Sequence, residues 1–472
     1  MRILALDQGT TSSRVLALSD GELTVTGQLR HTTTYPAPGW VEQDATELLA
    51  NCQTLIAAAG LAGAIGIANQ GESCLAWDAV TGEPLSPVIV WQDTRTRSAL
   101  GQMAAQGMAP EVMARSGLPL DPYFSAAKLG WLAKQPGSAA ALRQGRLRLG
   151  TTDAFFLDRL TGRFVTDPST ASRTGLLNLA SGRWDDWLCD AFGVPRDCLP
   201  MIVPTVGDFG SIAGIPVMAS LVDQQAALYG HGCTASGQAK ITFGTGAFAL
   251  AVTGRSVPDP VALQGLVPTI AWDLGDGPVY AVEGGVPDAA AAVEWAIRAG
   301  LADSLADFAS FDARAAVDRG LVFLPCFSGL AAPHWDRTAA PLIIGLQPQM
   351  TLADMRQALL EGIAALSAAL ITTLVAVADI KGAICVDGGL SANAYFTQML
   401  SRLSGRRLLV SGMPERTAMG CIALAAFGSG AAPDLPTFAA TKIDAEPAPA
   451  AWNQTFARAL DRARDWSGHT QM

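Results

Sequence analysis

Residues 7–14 read Asp-Gln-Gly-Thr-Thr-Ser-Ser-Arg: a carboxylate, a glycine, hydroxyls and a guanidinium set between two apolar runs, ILAL and VLAL. A turn between strands can aim several backbone N–H groups at one point and form an anion nest. Gly9 permits close backbone approach, Thr10, Thr11, Ser12 and Ser13 add hydroxyl donors, and Arg14 can neutralise a phosphate oxygen. Asp7 cannot bind phosphate, but it can hold Mg²⁺ or its water shell, which suits a nucleoside triphosphate. The competing reading is a polar hairpin whose Asp and Ser make only local turn bonds. A second turn, FGTGAF (243–248), offers Gly244, Thr245 and Gly246 to phosphate. A third, VDGGLSAN (386–393), has Gly388 and Gly389 after a strand and Asn393 at a helix start, where adenine or ribose could approach. Each glycine pair alone is equally a tight strand–helix turn. Asp223 follows the apolar run PVMASLV (216–222) and precedes QQAALYG. It stands at a strand's carboxyl end, as a chemical group or as a helix N-cap.

The elements that must hold these turns repeat. ILALDQGTTSSRVLAL (3–18) and AKITFGTGAFALAVTG (239–254) are both strand, G-T turn, strand, and each opens one half of the chain. Strands are expected at 64–70 and 87–93, within GLVFLPCF (320–327) and within AICVDGG (383–389), with a helix over 46–60. The pattern is α/β in two related domains, 1–230 and 231–472, with the boundary near LYGHGCTASGQ (228–238), where glycines and small polar residues break an apolar pattern. The stretch 429–450 is expected as a surface loop, and 451–468 as a closing amphipathic helix.

Composition limits what the chain can do. Half the residues are hydrophobic and 16% are charged, as in a compact globular protein. A net charge of −10 argues against nucleic acid as a partner but not against an anion bound in a local nest. The eight cysteines are scattered without a C-x-x-C pair and read as small core residues of a reduced protein. His31, His231, His334 and His469 lie far apart, and no zinc site is legible. The N-terminus enters a strand with no basic n-region or cleavage site, so a cytoplasmic location is expected. The apolar run 362–378 is short for a membrane span and contains Ser367, Thr372 and Thr373, so it reads as a core helix without membrane insertion. Thr351 and Asp354 form a capping-box-like start for that helix.

Taken in order, these stretches resemble the FGGY carbohydrate kinase family, and within it the glycerol-phosphorylating branch. The residues that carry the resemblance are LDQGTTSSR (6–14), YPAPGWVEQD (35–44), IGIANQGES (65–73), VIVWQDTRT (88–96), DPYFSAAKLGWL (121–132), DPSTASRTGLLN (167–178), DQQAALYG (223–230), FGTGAF, FSGLAAPHWD (327–336) and VDGGLSAN. The resemblance implies two actin-like ATPase domains of ribonuclease-H-like fold, with ATP and a polyol meeting in the cleft between them. It implies that Asp7 serves Mg²⁺. It assigns the nucleotide to Thr10, Thr11, Ser12, Arg14, Gly244, Thr245, Gly389 and Asn393, and the polyol to Glu72, Trp91, Tyr123, Asp223, Gln224 and Phe248. Asp223 becomes the catalytic base, orienting a hydroxyl and accepting its proton in a reaction governed by positioning and charge. A homodimer or tetramer is compatible with this reading.

The chain also departs from that branch. Gly71 stands where the glycerol-phosphorylating members carry arginine before the glutamate. Loss of a buried donor to substrate would cost a triol about 1.5–3 kcal/mol unless another group replaces it. Glycerol is the expected substrate. The alternative is a larger polyol or ketose, such as erythritol, a pentitol, xylulose or ribulose. A reading of another class is a non-catalytic sugar or nucleotide sensor on the same fold. The segment 336–345 lacks the branch's arginine–glycine pair, and Ala290 and Glu294 replace a glycine and a glutamine on the adenine side.

Overall fold

The computed structural model describes residues 1–311, 314–413, 415–432, 435–436 and 439–466. Each half opens with an antiparallel hairpin, Ile3–Gln8 with Ser12–Ser19 and Ala239–Phe243 with Ala247–Gly254. In both, the first strand pairs in parallel on its other side, with Ala64–Asn69 in the N-terminal lobe and Ile384–Gly388 in the C-terminal lobe. The outer side of each hairpin is extended antiparallel, by Glu22–Arg30 and by Pro278–Val286. A further parallel strand completes each core sheet, Ile215–Val222 and Leu408–Ser411. The repeat seen in the sequence is therefore a repeat of topology. A parallel strand must be reached by a crossover, and the helices Ala45–Ala59 and Leu352–Ala378 lie in the two crossovers.

Local chemistry sets the element ends. Asp44 caps the helix Ala45–Ala59 by accepting from the N–H of Thr46 at 2.7 Å. Thr351 and Asp354 form the expected capping box of Leu352–Ala378. That helix is long and apolar enough to cross a membrane by composition alone, but it is a core helix, mostly buried against the C-terminal sheet with Leu359, Leu360, Ile363 and Ile371 inside. Of the stretch 87–93 only Val88–Ile89 forms a strand, because the chain must leave the sheet to bring Trp91 to the cleft. Residues 429–450 are not all loop: Ala440–Ile443 pairs with Leu408–Ser411 at the sheet edge. The last helix runs Ala450–Ala463. It ends earlier than expected, because Arg464 is extended at the C-cap and breaks the helix; residues 467 and 468 of the expected helix, His469, and residues 433, 434, 437 and 438 of the preceding stretch lie outside the described residues.

One helix crosses the division expected at residue 230. Arg416–Gly428 follows the last parallel strand of the C-terminal lobe but packs on the N-terminal sheet. Its Ala418, Cys421, Ile422 and Leu424 share a core with Ile3, Ala5, Leu16 and Leu221. Truncating Ile422 or Leu424 to Ala would cost about 2–5 kcal/mol. The same helix buttresses Asp223–Gly230 through backbone contact. A Cβ on Gly420 would lie 1.8 Å from the carbonyl oxygen of Ala226, and one on Gly230 would lie 2.0 Å from that of Arg416. Only glycine at both positions lets the helices meet this closely.

Candidate active site

Between the lobes lies a cavity of about 180 Å³. Its wall contains Thr10, Thr11, Glu72, Trp91, Tyr123, Asp223, Gln224, Gly244, Thr245 and Phe248, ten of the residues expected at the site. Both G-T turns reach it because both hairpins end at the cleft. A larger cavity of about 380 Å³ adjoins it and shares Trp91, Tyr123, Thr245 and Phe248. Trp91 from the N-terminal lobe and Phe248 from the C-terminal lobe meet edge to face at 5.8 Å, and Trp91 meets Tyr123 likewise at 5.7 Å. These rings give the apolar wall that C–H groups of a polyol would face.

The first turn is held from behind. The carbonyl of Thr10 accepts from Gln43 Nε2 at 2.6 Å and lies 3.0 Å from His31 Nε2. From there a hydrogen-bonded circuit runs through the cleft floor. Gln70 donates to Gln43 at 3.0 Å, Ser73 donates to Gln70 at 3.2 Å, and the Trp91 N–H donates to Ser73 Oγ at 3.1 Å. It closes where Trp91 Nε1 donates to Thr10 Oγ1 at 2.9 Å. The first G-T turn and the loop bearing Glu72 are thereby tied together. Glu72 has φ +59°, a conformation costly for a non-glycine residue and held here by its surroundings, including Ser125 Oγ donating to its carbonyl at 2.9 Å.

Asp223 is the first residue of the helix Asp223–Gly230. Val222 is the N-cap, and no side chain caps this helix end, so the carboxyl is not consumed in capping. Burial, then the Asp7 carboxylate, push Asp223 up to about 7, while the Lys240 ammonium pulls it down. Lys240 is fully buried and donates to Gln224 Oε1 and to Thr242 Oγ1. Asp7 sits opposite Arg14 in the strand register, which explains their ion pair at 2.7 Å. Burial raises the Asp7 carboxyl and Arg14 opposes the rise.

The remaining expected residues are placed differently. Arg14 Nη1 and Nη2 bond Glu415 and Asp7, so its charge is already matched by carboxylates. Ser12 accepts from Gln28 Nε2 at 3.0 Å beside the turn. Gly389 and Asn393 lie next to the second G-T turn, because Phe243 is in register with Gly388. Gly388, at φ +90° with its Cβ position 2.3 Å from the Phe243 carbonyl oxygen, is the glycine this turn demands. Asn393 caps the helix Ala394–Ser404 through Oδ1 and donates Nδ2 to the Phe308 carbonyl at 2.6 Å, so both ends of its amide serve the fold. The first amides around the helix Ala290–Arg298 bond the carbonyls of Gly244 and Thr245, which pins the second turn to it. Among the described residues no group of three or more His, Cys, Asp or Glu is placed to hold a metal unaided.

Arg173, Glu283 and Lys240 line or brace the site although none was singled out in the sequence. Arg173 Nε donates to Glu72 at 2.6 Å and Nη2 donates to Glu283 at 2.8 Å, joining the lobes. Burial raises the Glu283 carboxyl against the pull of Arg173. A signal existed: Lys240 in AKITF and Glu283 in VYAVEGG are single charges in otherwise apolar strands, which a fold retains only where they are paired. At the mouth of the larger cavity Arg337 makes a bidentate pair with Asp121 across the lobes, at 2.8 and 2.9 Å.

Models of the FGGY family of carbohydrate kinases match the chain, the N-terminal domain over residues 2–230 and the C-terminal domain over 239–429. The chain is 38% identical to a glycerol kinase of Thermus brockianus over 98% of its length and 99% of that protein's. It is 39% identical to one of Symbiobacterium thermophilum, over 91% and 90%. Its fold is similar to Plasmodium falciparum glycerol kinase solved with ADP, with a TM-score of 0.86 and 28% identity over 100% of this chain and 99% of that one. Xylulose kinase from Lactobacillus acidophilus shares the fold at a TM-score of 0.86 and 22% identity, over 99% of both chains.

Proposed function

The chain belongs to the FGGY family of carbohydrate kinases, and we propose that it transfers the γ-phosphoryl group of ATP to a hydroxyl of glycerol. The observation that carries this reading is the 180 Å³ cavity, where both G-T turns, the aromatic wall and one buried carboxyl converge. Asp223 acts as base: raised to about 7, it accepts a proton near neutral pH and holds the hydroxyl in line. Thr10, Thr11 and the turn Gly244–Gly246 take the phosphates through hydroxyl and backbone N–H groups. Glu72, Tyr123 and Gln224 hold the polyol's hydroxyls, and Trp91 with Phe248 covers its C–H face. The interlobe pairs Arg173–Glu283 and Arg337–Asp121 keep bulk water from the reacting atoms.

The donor set fits Mg²⁺. The Asp7 carboxylate is close enough to raise the proton affinity of Asp223, beside a hydroxyl-rich turn, and Mg²⁺ is commonly held by one or two carboxylates, water and substrate phosphates. Asp7 would hold the ion through its water shell, and the ion would neutralise charge on the phosphates. The 380 Å³ cavity, which adjoins the one that Gly71 lines, favours a second reading in which a longer polyol or ketose is the substrate. An ADP-release assay over glycerol, erythritol, pentitols and ketoses, with and without Mg²⁺, separates the two. Highest kcat/KM on glycerol supports the first reading, and highest kcat/KM on a four- or five-carbon substrate replaces it with the second.

A further inference from the structure

We propose that Arg173 supplies the donor that fixes the polyol's distal hydroxyl and thereby sets which polyols are accepted. The inference rests on the polyol-kinase reading above and adds to it the residue that measures the substrate. Arg173 is 1% exposed and forms part of the wall of both cavities. It is the only arginine or lysine in the wall of the smaller cavity among the described residues. Two of its nitrogens hold Glu72 and Glu283, the Tyr123 hydroxyl lies within polar reach of the guanidinium, and Nη1 is buried with no partner of ordinary hydrogen-bond geometry among the described residues. The guanidinium stands 5.7 Å from the centre of the Tyr123 ring.

A guanidinium carries five N–H donors, and buried donors are almost always satisfied. Arg95, which bridges Glu42 and Asp93, also keeps a buried Nη1 without a partner, but it forms part of neither cavity wall; the unpaired Nη1 of Arg173 belongs to a side chain that lines both. A substrate hydroxyl accepting from Nη1 completes the set. The geometry beside Glu72 points the same way, because Gly71 offers no donor there and has little room for one. A Cβ on Gly71 would lie 3.1 Å from Val222 Cγ1. Lys240, the buried cation beside Gln224, is committed to Gln224 and Thr242 and lines neither cavity. Glu72 and Arg173 then form an acceptor–donor pair suited to a hydroxyl, which both donates and accepts.

The test is a substrate-deletion comparison. The enzyme is assayed with glycerol, with each enantiomer of 1,2-propanediol, which lacks one terminal hydroxyl, and with 1,3-propanediol, which lacks the central one. The wild type is expected to favour glycerol over both 1,2-propanediol enantiomers. In Arg173→Gln kcat/KM should fall on every substrate, because Glu72 and Glu283 lose their partner, but about 10–100-fold further for glycerol than for 1,2-propanediol, so the preference collapses. Because that variant leaves two carboxylates facing each other, Arg173→Gln/Glu283→Gln is measured alongside, and circular dichroism reports folding. A parallel fall on all substrates, with the preference intact, gives Arg173 a structural role and overturns the inference. Failure of the functional reading is distinct: wild-type enzyme then turns over no polyol in the series, and the inference falls with it.

Discussion

Replacing Asp223 by asparagine separates what its buried carboxyl does for chemistry from what it costs the fold. The rise from 3.8 to about 7 corresponds, at 1.36 kcal/mol per pH unit, to about 4 kcal/mol. The side chain is partly open to the cleft, which reduces this to about 2–4 kcal/mol. The sign follows from where the proton sits. The unfolded chain releases it near 3.8, whereas the native state keeps it to about 7. Raising the pH through that window therefore penalises the native wild type, and the penalty is complete above pH 7. An asparagine side chain never ionises, so the Asp223→Asn variant gains relative stability as pH rises. Urea unfolding without nucleotide should show its advantage growing by about 2 kcal/mol between pH 5 and pH 8. The same variant should bind ATP nearly as the wild type does and lose about 10²–10⁴-fold in kcat. Wild-type kcat/KM should rise about tenfold per pH unit below pH 7 and level off above. A stability difference that is flat in pH, together with undiminished turnover, would refute the reasoning about this carboxyl.

Gly420→Ala places a Cβ 1.8 Å from the Ala226 carbonyl oxygen and should lower stability by about 1–3 kcal/mol while displacing the helix that begins at Asp223. Thermal unfolding and kcat should fall together, and a normal kcat in a destabilised protein would detach that helix packing from catalysis. Arg337→Ala removes the bidentate pair with Asp121. It should raise KM about 3–10-fold with kcat within about twofold, as expected for a partly exposed ion pair favouring closure. Small-angle scattering of the free enzyme should show a larger radius of gyration, and an unchanged radius would contradict the latch. Trp91→Phe keeps the ring contacts but loses the bond to Thr10. At about 1 kcal/mol, KM should rise about fivefold for both ATP and polyol; a change in only one would show that the circuit does not couple the two sites.

The turns at 7–14 and 243–248 and the cleft carboxyl at 223 were legible because each is a short polar interruption in an apolar strand pattern, and that contrast is local. The paired hairpins were legible for the same reason, as was the capping box at Thr351. What escaped depends on contacts between distant segments. Arg173 and Glu283 are 110 residues apart and acquire their meaning only when the lobes meet. That the register sets Asp7 opposite Arg14 and that the chain returns to it with Glu415 was not legible locally. The helix-cap role of Asn393 was local, but its bond to the Phe308 carbonyl comes from a segment 85 residues away. Ala440–Ile443 becomes a strand because an open sheet edge accepts it, which overrides a loop-like composition.

The helix Arg416–Gly428 has a consequence for biosynthesis. The N-terminal lobe contains the first strand of the chain, yet its core is completed by residues that the ribosome adds about 200 positions after the helix Asp223–Gly230. At roughly 5–20 residues per second, that interval is about 10–40 s. Throughout it, the sheet face bearing Ile3, Ala5 and Leu16 lacks its final cover. The lobe cannot mature before its partner is made, and a polypeptide ending near residue 230 would keep that apolar face open to chaperones and to other chains.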